Sequence, residues 1–349
     1  MIETIFAPSS TKLAGEHTVV LGTDCISAAV DKPAKTRVET ISDSKIKINL
    51  SDEKFKASRS FSSEELTSLF RSWKEKKSID SFITENKELS GTMLAFAHIA
   101  ARAKVEFGLD IMGSEFTSSS TVPTQSGWGS STSIGASFAG GLLARANTLL
   151  KDSETIDLMR DMDRITHRNP NAGGIDVPPL FFGGYVFGSP KRGYVNIDVR
   201  TQFNFLAPFV GRKQPTSSMV FVVDVRKHTY PESTRSICDS VQRIVGEEVV
   251  ALQESDASGL GRLMFENHRL LKELWVSSEK LDEMVSIAEK WGAYGAKLVG
   301  GGGDGAGLIN CDPELNSTMI QMMRRSGFSC EQIEITDIGV KRQLEAIIR

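Results

Sequence analysis

Very little in this sequence is set aside for metals or disulfides. Its 349 residues include four cysteines, Cys25, Cys238, Cys311 and Cys330, far apart and with no CxxC pair. Buried thiols in a reducing compartment are therefore expected rather than a zinc ribbon or a disulfide framework. The five histidines show no HExxH or HxxxH spacing, which argues against a zinc site. No apolar run approaches the roughly 18 residues that a membrane helix needs. The opening, MIETIFAPSS, has an acid and no basic n-region, so no signal peptide is expected and a cytoplasmic location is. Positive charge is not in excess either: the net charge is −3, a poor match to nucleic acid. There is no repeat, no low-complexity tail and no long linker.

What remains is an ordinary globular composition, 40% hydrophobic and 24% charged, long enough for two domains or one large α/β unit. Residues 3–30 read as strands broken by turns (ETIFA, HTVVLG, CISAAVD). KIKINL and FKASRSF read as a surface hairpin, and SSEEL caps a helix starting near Ser62. Residues 91–108 read as a buried helix. Ile134, Phe138, Leu142 and Ala146 recur every four residues, as one helix face does, and a second helix runs over 153–166. The composition turns polar at 189–200, the expected domain boundary. Beyond it, SMVFVVDV reads as a strand, and STRSICDSVQRIV and EKLDEMVSIAEKW read as amphipathic helices. Strands and helices mix without strict alternation, which favours α+β.

Two glycine loops stand out. PTQSGWGSSTSIGAS (123–137) sets small polar residues and glycines before a helix. A helix N-terminus has unpaired N–H groups and partial positive charge, and a Gly/Ser loop adds donors and admits close approach. The pattern suits a phosphate, although a tight turn into a packed helix is the bland alternative. It is not a P-loop, since no lysine follows, and it lacks the third glycine of the dinucleotide fingerprint. Gly300, Gly302 and Gly305 do match GxGxxG, but a strand-like AGLIN follows instead of a helix, so the match reads as a tight turn.

Two carboxylates complete the chemistry. On the 153–166 helix, Ile156, Met159 and Ile165 mark an inward face, and Asp163 lies on or beside it. A charge there needs a partner, either Mg²⁺ or a basic neighbour. Asp176 sits in the Gly/Pro-bounded run NAGGIDVPP, where a turn-capping aspartate is the plain reading.

These stretches resemble one family, the GHMP small-molecule kinases. PTQSGWGSST (123–132) is similar to its P-x-x-x-G-L-G-S-S-A loop, KLVGGGGDGAGL (297–308) to K-L-T-G-A-G-G-G-G-C, and APSSTKLAGEHTVV (7–20) to A-P-G-K-V-I-L-x-G-E-H-A-V-V. DRITHRNPNAGGIDVPPLFFGG (163–184) and NHRLLKELWVSSEKLD (267–282) look like the mevalonate-kinase branch. The resemblance covers nearly the whole chain apart from about 40–90. It implies an α+β, two-domain GHMP kinase fold: a ribosomal S5 domain 2-like N-terminal domain (1–190) and a ferredoxin-like C-terminal domain (200–349). It implies an ATP- and Mg²⁺-dependent kinase for a small-molecule hydroxyl, with mevalonate in isoprenoid biosynthesis as the leading acceptor. No nucleic acid or membrane partner is implied, and a homodimer is left open.

Carried over by residue, the resemblance puts ATP on Ser126, Gly127, Trp128, Gly129, Ser130, Ser131 and Thr132. It puts Mg²⁺ on Ser131 and Asp163 and makes Asp176 the base. Glu16, His17, Thr234, Gly301 and Gly302 line the acceptor side, and Gly301 to Gly303 close over the site. Three departures gather near the acceptor. The family's early lysine is Ser10 here; Lys12, two residues on and on the same strand face at about 7 Å, either takes its role or is a surface lysine. The aspartate loop is two residues longer at NAGG. HTYPEST (228–234) has Glu232 where the family has arginine. Trp128, where leucine is usual, packs near the nucleotide or in the core. A GHMP kinase for a sugar or another hydroxy acid, and a non-catalytic ligand sensor on the same scaffold, are the rival readings.

Overall fold

The computed structural model describes residues 2–51, 56–121, 128–212 and 214–348. β1 (Ile2–Ala14) and β2 (Cys25–Thr40) pair antiparallel along nearly their whole length, with Lys12 opposite Ser27. The strand expected at HTVVLG is instead the connection between them, with a single 3-10 turn at Val19–Leu21. Gly15, His17 and Gly22 have φ of 92°, 62° and 109°, and left-handed residues that close together cannot continue an extended run.

β3 (Ile46–Ser51) and β4 (Lys56–Phe61) form the expected hairpin. α1 (Ser63–Glu75) starts with a capping box: Ser62 Oγ accepts from the Glu65 N–H while the Glu65 carboxylate accepts from the Ser62 N–H. α2 (Ile79–Glu85) leads to α3 (Gly91–Val105), which is buried from Met93 to Ala103 as expected. β5 (Ser114–Ser120) precedes α4 (Ser130–Arg145), α5 (Asp152–Thr166) and α6 (Val177–Phe182). β6 (Tyr185–Ser189) and β7 (Gly193–Ile197) complete the first sheet, in the order β4-β3-β5-β2-β6-β7 with β1 also on β2. Ile5, Phe96, Phe116, Phe138, Leu158 and Leu180 share its core. α4 packs against α5 closely enough that a methyl on Gly135 would run into Met162.

The second half opens with β8 (Phe205–Gly211), α7 (Thr216–Thr229), α8 (Pro231–Glu254), α9 (Ala257–Glu273) and α10 (Glu279–Lys290). β9 (Gly295–Leu298), β10 (Gly305–Asn310), α11 (Asn316–Arg325), β11 (Ser329–Ile333) and α12 (Val340–Ile347) follow. The antiparallel sheet runs β11-β8-β10-β9. In chain order that is fourth, first, third, second, the ferredoxin-like arrangement.

SMVFVVDV is not the expected strand, because it lies within α7. A short apolar run fits either element by pattern alone, and tertiary contacts decide here. Val223 and Arg226, one turn apart, face inward at 3% and 6% exposure, while Phe221 on the other side is 67% exposed. The division of the chain at 190–200 stays a proposal with two additions. β7 carries the first sheet on to Ile197, and α12 returns at the end of the chain to bury Val340 and Leu344 in the first core.

Candidate active site

Four elements meet at one point. β1 carries Ser10 and Lys12 inward, both buried. The Lys12 ammonium pairs with the Asp176 carboxylate, and Ser10 Oγ donates to the same oxygen at 2.7 Å and accepts from Lys12 Nζ at 3.4 Å. Lys12 is thus no surface lysine: its side chain is 7% exposed. Asp176 does sit at the N-cap of α6, but its side chain makes no capping bond. Its carboxylate is turned to β1, which separates it from an ordinary turn aspartate. The carbonyls of the longer NAGG loop are held from two sides. Arg160 on α5 donates to the carbonyls of Asn171 and Ala172, and the Tyr194 hydroxyl from β7 donates to that of Gly174.

The glycine loop closes on this pair. Gly129 is the N-cap of α4 in a left-handed conformation, φ 67°. A methyl there would lie 2.9 Å from Ser10 Oγ and 3.4 Å from the Asp176 carboxylate, so glycine admits both the turn and the approach. The Ser10 N–H donates to the Trp128 carbonyl at 3.3 Å, tying the loop to β1. The amides of the first turn of α4, at Ser130, Ser131 and Thr132, thereby begin beside Lys12 and Asp176. Trp128 is 6% exposed and shares a core with Leu13, Ile26 and Phe205. Ser126 and Gly127 lie outside the described residues.

Asp163 lies on the inward side of α5, 2% exposed. Thr132 Oγ1 donates to one carboxylate oxygen at 2.7 Å, and Ser131 Oγ to the other at 3.3 Å. The nearest basic nitrogen is His167 Nε2 at 3.8 Å. Burial pushes the Asp163 carboxyl above its ordinary pKa, and the Asp176 charge pushes it further. Asp163, buried with two hydroxyls and no ammonium or guanidinium against it among the described residues, is the carboxylate of the site that could hold a hard cation. Among the described residues no group of three His, Cys, Asp or Glu is assembled.

A second group begins at the same strand. Glu16 and His17 are 3% and 8% exposed. Glu16 pairs with the Lys297 ammonium, and His17 Nε2 lies 3.1 Å from the Gly301 carbonyl. Burial holds His17 down to about 4, so at neutral pH it is the uncharged ring that donates. The glycine run joins antiparallel β9 to β10, the tight turn expected and no dinucleotide loop. A methyl on Gly302 would collide with the Val276 carbonyl, which already accepts from the Gly303 N–H at 2.9 Å. Thr234 sits apart from both groups, on α8. Its hydroxyl accepts from Arg226 at 2.7 Å and donates to the Tyr230 carbonyl at 2.8 Å. The Arg226 guanidinium lies 5.6 Å from the Trp275 ring centre. Sequence reasoning missed Arg226, Lys297 and Glu248, the last fully buried on α8 near Lys297 and Glu16. Lys297 opens a glycine motif that had already been singled out, so a signal was there; nothing local marks the other two.

Two family descriptions match the chain: "GHMP kinases N terminal domain" over residues 92–184 and "GHMP kinases C terminal" over residues 249–327. The mevalonate kinase of Pyrococcus furiosus is 26% identical over 350 residues, covering 98% of each chain. That of Thermococcus onnurineus is 27% identical over 342 residues, covering 96% of each. The solved structure of the Methanococcus jannaschii mevalonate kinase has a TM-score of 0.77 over 96% of this chain and 98% of that one, at 23% identity, a likeness of fold.

Proposed function

The chain belongs to the GHMP kinases, and from that premise we propose that it transfers the γ-phosphoryl group of ATP to a small-molecule hydroxyl, mevalonate first among acceptors. The observation that carries the reading is the Lys12–Asp176 pair set against the amide end of α4. The near full-length likeness to mevalonate kinases supports the acceptor.

Phosphoryl transfer has a loose transition state, so positioning and charge neutralisation do most of the work. Asp176 takes the proton of the acceptor hydroxyl. The acceptor oxygen forms a bond to the γ-phosphorus, the bond from that phosphorus to the β,γ-bridging oxygen breaks, and ADP leaves. Lys12 pairs with Asp176 and faces the negative charge of the group in flight. The residues from Trp128 to Thr132 cradle the phosphates with their amides and hydroxyls, with Ser126 and Gly127 completing the loop. Ser131 and Asp163 are the residues that would hold Mg²⁺, which when bound neutralises phosphate charge. Glu16, His17, Gly301, Gly302 and Thr234 shape the acceptor side, the first three through contacts between the two halves.

Among the described residues no helix is long and apolar enough to cross a membrane. Work in the cytoplasm, within isoprenoid synthesis, belongs to this reading; nucleic acid and membrane have no part in it, and a homodimer is not required. The test is steady-state assay of purified protein with Mg·ATP and mevalonate, with ADP release followed against acceptor-free controls. Saturable, acceptor-dependent ADP release is expected, and ATP binding without any acceptor-dependent turnover would overturn it.

A further inference from the structure

The stretch from Lys12 to His17 ends β1 and opens its connection to β2, yet its polar atoms are held from the other half of the molecule. Lys297 on β9 donates to the Lys12 carbonyl at 3.3 Å and pairs with the Glu16 carboxylate. Asn267 on α9 donates to the Leu13 carbonyl at 3.0 Å. Both side chains are fully buried, at 0% exposure. An ammonium in such a place is costly unless its partners are fixed. Glu248 on α8 lies beside it, also at 0% exposure, and neither of its carboxyl oxygens has a hydrogen-bond partner among the described residues. Burial pushes Glu248 up to about 8, with Lys297 opposing and Glu16 adding. Near neutral pH it therefore holds its proton and leaves the ammonium to Glu16 and the Lys12 carbonyl.

We propose that Lys297 is a positioning residue for phosphoryl transfer: reaching across from β9, it fixes the backbone of Lys12 and the carboxylate of Glu16, and so sets where the Lys12 ammonium meets Asp176. The inference rests on the function proposed above. Its lever is short, because the carbonyl that Lys297 grips belongs to Lys12 itself. A shift of about 1 Å at a reacting group costs roughly a hundredfold in rate.

The experiment compares Lys297→Met with wild type by two readouts. The first is kcat per ATP-competent chain, counted by equilibrium ATP binding, so that misfolded protein is not scored as slow enzyme. The second is amide hydrogen exchange. The expected result is a fall in kcat of roughly ten- to a hundredfold with ATP affinity held within about twofold, and faster exchange confined to residues 10–17. Lys297→Met leaves Glu16 buried without its partner, so the double variant Glu16→Gln/Lys297→Met, which buries no charge at this pair, is measured in parallel. It should fold and keep the fast exchange at 10–17. Unchanged protection of that stretch in a folded variant overturns the proposal, as does an unchanged kcat in Lys297→Met. If wild type turns over no acceptor, the functional reading fails by itself, and exchange at 10–17 still decides whether Lys297 holds the strand.

Discussion

Replacing Lys12 by methionine removes the ammonium and keeps most of the stem. The side chains of Lys12 and Asp176 are 7% and 27% exposed, so the pair is neither a surface ion pair nor a dry one. Two unit charges about 4 Å apart attract by about 4 kcal/mol at an effective dielectric near 20. The opening at Asp176 reduces this to about 3 kcal/mol. The loss falls on the transition state, where charge builds on the transferred group. At about 1.4 kcal/mol per tenfold, kcat should drop roughly a hundredfold. Asp176 survives as a base, so activity should not vanish. Ser10→Ala, which removes a hydrogen bond of about 1 kcal/mol to the same carboxylate, should cost only about fivefold. The assay is ADP release at saturating ATP and acceptor, beside a thermal melt to confirm folding. If Lys12→Met keeps turnover within about threefold of wild type, the ammonium has no part in the reaction and the account of the site is wrong.

Three further outcomes follow from the same geometry. Asp176→Asn keeps the shape and loses the base; kcat should fall by roughly two to four orders of magnitude while ATP affinity stays within about threefold, and an unaltered rate would point to a sensor or to a different base. Asp163→Asn removes a buried carboxylate that Asp176 already disfavours. It should raise stability in Mg²⁺-free buffer by about 1–2 kcal/mol and erase the Mg²⁺-dependent part of the ATP-induced melting shift; a lower melting temperature with that shift intact contradicts the metal assignment. Glu248 in the folded chain keeps its proton up to about 8, against an ordinary 4.5, whereas the unfolded chain releases it near the ordinary value. The folded state thus binds more protons across that window, and its stability falls as pH rises through it. Melts of Glu248→Gln and wild type should diverge between pH 5 and 8 by up to about 4 kcal/mol, with wild type the loser at high pH, and parallel curves would show that Glu248 ionises freely.

The parts of the site that could be read in the sequence are those set by spacing within one element. Asp163 was placed on the inward face of its helix by Ile156, Met159 and Ile165, and it is buried there. Lys12 was placed on the face of Ser10 by strand alternation, and the two side chains meet. The glycine loop before α4 and the turn between β9 and β10 were legible because glycine and the element that follows are local signals. What escaped needs contacts between distant segments. Glu16 was named for the acceptor side, but its meeting with Lys297 on β9 and Glu248 on α8 was not, because nothing near any of the three in the chain signals the other two. SMVFVVDV has a strand's composition, but the inward turn of Val223 and Arg226 makes it a helix. Arg226 reaches Thr234 only because that helix forms, and so it could not be found while the segment read as a strand. The return of α12 onto the first core is likewise a tertiary fact, invisible to a boundary drawn from composition.

The central claim is that this site moves a phosphoryl group from ATP to a small hydroxylated acceptor, with mevalonate the expected one. The most direct measurement is phosphorus NMR of the product formed by purified protein from Mg·ATP and mevalonate, with galactose and homoserine run beside it. The account predicts stoichiometric ADP and a phosphate monoester on the mevalonate 5-hydroxyl. ATP binding with no phosphorylated product from any of the three acceptors would contradict it.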